Sequence, residues 1–214
     1  MTEDAMPRNY LGREIARMKA SDGINPAVAT TIMVATAVAL LIILTTASNG
    51  TAFWAIGLLL GVTAFQGGRI GVTDARTHRI PDALSIPYAG TVAATIITAT
   101  IITNDWSRFG QAALGALALG LLYLLAAIFG DLGLGDVKLA AILGGALAYA
   151  GWTPLLWGSL LGLVLGLPHA LILHFTQRRA IVPAGETKAR IPLGPYMVAG
   201  TVITLALALT ATGI

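Results

Sequence analysis

The residues in this chain best suited to chemistry are carboxylates placed beside apolar runs. Four aspartates adjoin long hydrophobic stretches: Asp74, Asp82, Asp131 and Asp136. A carboxylate at the edge of hydrocarbon is costly, so it usually faces a polar cavity or serves a function. Asp74 follows Gly71-Val72-Thr73 at the end of one stretch. Asp136 lies at the entrance to another, in Gly130-Asp131-Leu132-Gly133-Leu134-Gly135-Asp136-Val137-Lys138-Leu139. Two carboxylates sharing a site do not both ionise easily, so one keeps a proton. That asymmetry suits peptide hydrolysis. The ionised member takes a proton from water, while the protonated one donates to the carbonyl oxygen and then assists the leaving amine. Such a pair titrates as a unit, and spacing alone does not say which aspartate is acid and which is base.

Neither a cofactor nor a metal is expected. The three histidines, His78, His169 and His174, do not form the H-E-x-x-H pattern of a zinc protease, and the chain has no cysteine. Gly133 and Gly135 are expected to permit non-helical backbone and the close approach of an extended substrate chain beside Asp136. The Gly130–Gly135 run lacks the G-x-G-x-x-G order and the strand–helix setting of a dinucleotide loop.

The elements that must position these groups are membrane helices. Of 214 residues, 56% are apolar and 11% charged, and the mean hydropathy is +0.80. A soluble domain usually carries about 25% charged residues. The net charge of +3 is too small to point to nucleic acid, and no basic stripe with interleaved aromatics occurs. Seven apolar segments, at 27–47, 53–72, 84–103, 109–129, 137–151, 154–175 and 193–212, predict an all-α polytopic bundle of about seven spans. The fifth is short and glycine-rich, and is expected to be tilted or only partly spanning. Residues 1–26 read as a polar cytoplasmic segment, and 27–214 as one transmembrane domain with compact connections. Small residues such as Gly115, Gly120, Gly144, Gly158 and Gly162 let helix backbones approach closely in lipid.

Orientation follows from basic residues. With the N-terminus inside, the inner segments hold Arg8, Arg13, Arg17, Lys19, Arg69, Arg76, Arg79, Lys138, Arg178, Arg179, Lys188 and Arg190. Only Arg108, of the 13 lysines and arginines, falls outside. This is the positive-inside pattern, and it puts Asp74 and Asp136 on one, cytoplasmic, face.

Three stretches, taken together, resemble the prepilin peptidase (type IV leader peptidase) family of membrane aspartic proteases. Asp74-Ala75-Arg76-Thr77-His78-Arg79-Ile80-Pro81-Asp82 is similar to its D-x5-[IL]-P-[DN] signature. Gly133-Leu134-Gly135-Asp136-Val137-Lys138-Leu139 is similar to its G-x-G-D-x-K-L. Ile191-Pro192-Leu193-Gly194-Pro195-Tyr196 resembles its late I-P-[FLY]-G-P segment. The resemblance covers residues 55–212. It implies that Asp74 and Asp136 are the catalytic pair, with Gly133, Gly135, Lys138, Asp82 and Pro81 supporting the site or meeting substrate. The implied partner is a prepilin-like protein with a short basic leader, cut just before a hydrophobic helix, in the inner (cytoplasmic) membrane. Long members carry paired C-x-x-C motifs linked to N-methylation of the product. The absence of cysteine here resembles the short, protease-only form.

Plainer roles stand beside these. Asp82 could N-cap the helix after Ile80-Pro81, and Asp131 reads as a turn residue. Lys138 either tunes Asp136 or snorkels to the interface. His169 and His174 read as polar packing, Pro168 as a kink, and the Arg178–Arg190 loop as an orientation signal. A transporter would need acidic residues near the midplane and two related halves, and the span interiors carry no acid.

Overall fold

Hydrophobic segments that leave no backbone group unpaired become helices in lipid, and every regular element among the described residues is helical. The computed structural model describes residues 51–130, 132–177 and 192–212. The polar segment 1–26, the first apolar run 27–47, Asp131 and the Arg178–Arg190 loop lie outside the described residues.

The first rod comprises α1 (Thr51–Val62), a π turn (Thr63–Gly67) and α2 (Gly68–Thr77). Its junctions at Val62, Gly67 and Gly68 all keep right-handed helical angles, so the rod is continuous. There follow α3 (Asp82–Thr103), α4 (Trp106–Phe129), α5 (Leu134–Ala150), α6 (Trp152–Gln177) and α7 (Gly194–Thr212). Among the described residues, four stretches are long and apolar enough to cross a membrane: Phe53–Thr77, Asp82–Thr103, Trp106–Phe129 and Gly194–Ala211. The chain is therefore a membrane protein. Each apolar segment expected between 53 and 212 corresponds to a helix.

Both candidate aspartates sit on helices rather than in the connections that hydropathy drew. The segment Thr73–Ala83 reads as a loop because Asp74, Arg76 and Arg79 are polar. The helix nevertheless runs to Thr77 and ends at His78, in left-handed backbone (φ 49°) with its amide on the Asp74 carbonyl at 2.8 Å. Likewise α5 starts at Leu134, which puts Asp136 in its first turn.

Packing order follows exposure. In α5, nine residues from Leu139 to Tyr149 are buried, so this short helix forms the centre of the bundle rather than its lipid face. In α4 only Ala112, Gly115 and Leu119 are buried, and Leu114, Leu117, Leu121, Leu122 and Leu125 point outward. Leucine is as comfortable in lipid as in a core, so helix association here needs close backbone fit instead. The α4–α5 contact supplies it. A Cβ on Gly144 would stand 2.5 Å from the Gly115 carbonyl oxygen, and one on Gly115 2.7 Å from that of Gly144. The π turn docks the first rod on α3, where the buried Tyr88 hydroxyl donates to Thr63 Oγ1 at 2.9 Å. At the other end of the bundle Asp105 caps α4, accepting from the Arg108 amide at 3.3 Å and the Ser107 hydroxyl at 2.7 Å. The Ser107 hydroxyl first, then the Arg108 amide, hold its carboxyl below the usual carboxylate range.

Gly144→Val should therefore overpack the α4–α5 seam and cost about 1–3 kcal/mol. Thermal unfolding in detergent checks this, and an unchanged Tm would mean the two backbones do not meet at Gly115 and Gly144.

Candidate active site

The site lies where α2 ends and α3, α5 and α7 begin. Asp74 is 5% exposed, one turn from the end of α2 on the face where Ile70, Gly71 and Thr73 are also buried. The threonines of this last stretch satisfy themselves on the helix backbone: Thr73 Oγ1 donates to the Arg69 carbonyl at 2.9 Å and Thr77 Oγ1 to that of Thr73 at 2.8 Å. Asp74 instead turns to another helix. Its Oδ2 accepts the Gly194 amide at 3.0 Å.

After His78 the chain runs back toward α5. Ile80 precedes a proline, which keeps it extended, and its Cβ lies against Gly135. A Cβ added at Gly135 would be 2.9 Å from that of Ile80. Two residues on, Asp82 Oδ1 receives Lys138 Nζ at 2.6 Å. The Asp74 stretch and the Asp136 stretch thus meet at two points, Ile80 on Gly135 and Asp82 on Lys138, one on each side of Asp136 in sequence. Asp136 itself is half-buried with Oδ1 shielded from solvent. Its amide donates to the Gly133 carbonyl at 3.0 Å, and its Oδ2 folds back over Gly133, 3.3 Å from where a Cβ would stand.

Several sequence expectations change in detail. Gly133 is extended (φ −78°, ψ 143°) and Gly135 lies inside α5, both conformations open to any residue. The two glycines provide space here, not unusual backbone angles. Asp82 does not cap α3. Pro81 holds that position and its carbonyl accepts the Leu84 and Ser85 amides at 3.0 and 3.2 Å. Asp82 is the first helical residue, where a negative charge suits the helix dipole, and it pairs with Lys138. Neither reading of Lys138 named this partner. His169, expected as polar packing, meets the Tyr196 hydroxyl through Nδ1 at 2.7 Å. The helix α6 continues past Pro168 to Gln177. Among the described residues no group of three or more His, Cys, Asp or Glu is arranged to hold a metal.

Three participants carried no chemical signal in sequence. Ile80 and Gly194 act through shape and a backbone amide, which residue type does not advertise. Tyr123, on the otherwise leucine-rich α4, lies within electrostatic reach of the Asp136 carboxylate. It also lines an apolar groove of about 500 Å³ with Leu122, Leu132, Leu160, Leu193 and Met197. Leu132 and Leu193 immediately precede Gly133 and Gly194, so the groove borders the site.

Residues 67–171 match the model of the type IV leader peptidase family, Peptidase_A24. This segment holds Asp74 to Asp82 and Gly133 to Leu139, and the match indicates a protease similar to that family. No curated protein and no solved structure matches the chain.

The Lys138–Asp82 bridge joins the N-terminal turns of α5 and α3, but the Lys138 side chain is 52% exposed. A double-mutant cycle of Lys138→Met and Asp82→Asn should accordingly give a coupling of about 0.2–1 kcal/mol. The measurement is thermal unfolding at low and high salt. A coupling insensitive to salt would show the pair to be desolvated rather than screened.

Proposed function

We propose that this protein is a membrane aspartic endopeptidase that removes the short basic leader of type IV prepilin-like proteins at the cytoplasmic face, with Asp74 and Asp136 as its water-activating pair. The observation that carries the reading is convergence. Three stretches separated widely in sequence, each similar to a motif of one protease family, are linked by Asp74 to Gly194, Ile80 to Gly135 and Asp82 to Lys138. In the proposed reaction one carboxylate is ionised and takes a proton from water, which attacks the scissile carbonyl. The other donates its proton to the carbonyl oxygen, and the returning proton releases the amine.

Substrate and setting follow from the same reading. The leader is basic and meets the site at the cytoplasmic end, an orientation that the lysine and arginine distribution supports. The groove past Leu132 and Leu193 is apolar, as suits residues entering a hydrophobic helix after the cut. Gly133, Gly135, Lys138, Asp82 and Pro81 act as support, holding the two aspartate-bearing stretches together. Residues 1–26 form a polar cytoplasmic segment and 27–214 the transmembrane peptidase domain, with about seven spans in the inner membrane. The lack of cysteine supports a reaction that ends at cleavage, without the N-methylation linked to paired C-x-x-C motifs.

Asp74→Ala and Asp136→Ala should each abolish processing of a co-expressed prepilin while membrane insertion is unchanged. Each alone should cost about as much activity as both together, as for residues that act as a unit. Immunoblotting for unprocessed and mature pilin reads the outcome, and substantial cleavage by either variant would sink the two-aspartate mechanism.

A further inference from the structure

The reading of Asp74 as one member of the pair leaves open what orients it. We infer that the backbone amide of Gly194, at the first position of α7, is the positioning group for Asp74, and that residue 194 is glycine because a side chain there would occupy the carboxylate's own space. This inference rests on the two-aspartate reading.

The first four amides of a helix have no partner within it. In α7 the first turn winds from Leu193, whose carbonyl accepts the Tyr196 and Met197 amides, both at 3.1 Å. The Gly194 amide points out of the helix and donates to Asp74 Oδ2 at 3.0 Å. A hydrogen bond to a carboxylate is stronger and more directional than a neutral one, and the helix N-terminus favours negative charge. With Oδ2 held, the carboxylate has one orientation, and Oδ1 is the oxygen left to exchange a proton in the reaction.

Sterics point the same way. A Cβ at residue 194 would lie 2.8 Å from Asp74 Oδ2, 3.2 Å from its Cβ and 3.3 Å from its Cγ. Those contacts involve the whole side chain, so no small rotation relieves them. From the opposite side Gly71, one turn before Asp74, lets α2 approach. A Cβ there would be 3.1 Å from Pro195 Cα. One glycine on each helix therefore sets the distance at which amide and carboxylate meet.

A purely structural cap makes a different forecast from a positioning group, and steady-state kinetics separates them. The assay uses the full chain in lipid nanodiscs and a synthetic peptide with a basic leader, a glycine at the cut and an apolar helix. Gly194→Ala should lower kcat by about ten- to hundredfold, the scale for a reacting group displaced by an ångström or less, with KM little changed. Leu205→Ala serves as the structural control, since it opens a cavity at a fully buried position of α7 eleven residues from Gly194. It should lower Tm and leave kcat near wild type. If Gly194→Ala loses no more kcat than Leu205→Ala while Asp74→Ala and Asp136→Ala are inactive, the inference is overturned and the two-aspartate reading stands. If Asp74→Ala or Asp136→Ala still cleaves, that reading falls and takes the inference with it. Amide hydrogen exchange gives a second measure that does not require Gly194→Ala to fold. The Gly194 amide should be protected in the wild-type protein and exposed in Asp74→Ala, and equal exchange in the two would overturn the inference.

Discussion

A carboxylate buried at a helix end must find a donor, and the donor for Asp74 is a backbone amide 120 residues away, at the start of α7. That single contact constrains much of the bundle. It requires α2 and α7 to meet end to end without a side chain between them, hence glycine at 71 and at 194. It requires α7 to begin at Gly194, so that an unpartnered amide faces outward. It also draws the chain leaving α2 across the mouth of α5, where Ile80 rests on Gly135 and Asp82 reaches Lys138. A donor that is backbone rather than side chain is rigid, since its place is fixed by the helix it opens.

The rest of the bundle exists to keep that junction in place, and it does so under the rules of lipid. Leucines on α4 gain nothing by turning inward, so they stay outside, while Gly115 and Gly144 let two backbones touch. The same device recurs between α6 and α7, where a Cβ on Gly200 would be 2.5 Å from the Gly162 amide nitrogen. Dispersion between close backbones replaces the hydrophobic effect as the source of association. Buried Thr73 on α2 and Thr91, Thr95 and Thr100 on α3 donate to carbonyls of their own helices, so these hydroxyl protons need no acceptor across the core.

The match to the type IV leader peptidase family and the meeting of the three stretches bear on different questions. The family match reaches only to residue 171 and so leaves out Gly194, the residue that touches Asp74. The geometry supplies that link. A family pattern reports which residues recur, whereas a hydrogen bond and a van der Waals limit say why a glycine must stand where it does.

Much was legible in the sequence because lipid reads composition directly. Runs of apolar residues become helices, and acidic residues beside them mark the places where chemistry is affordable. The all-helical class, six of the apolar segments and the candidacy of Asp74, Asp82 and Asp136 came from residue types alone. Helix ends did not, since polar residues such as Arg76 continue a helix as readily as they end one, and hydropathy misread Thr73–Thr77 as loop. Nor could spacing reveal that Asp82 pairs with Lys138, or that Gly133 and Gly135 matter for room rather than for backbone freedom. Which helix ends converge is set by the summed close packing of all the helices. No local pattern encodes the amide of Gly194 as the partner of Asp74, because a backbone donor has no residue type to read. Sequence named the carboxylates, and only the packed bundle decided what holds one of them.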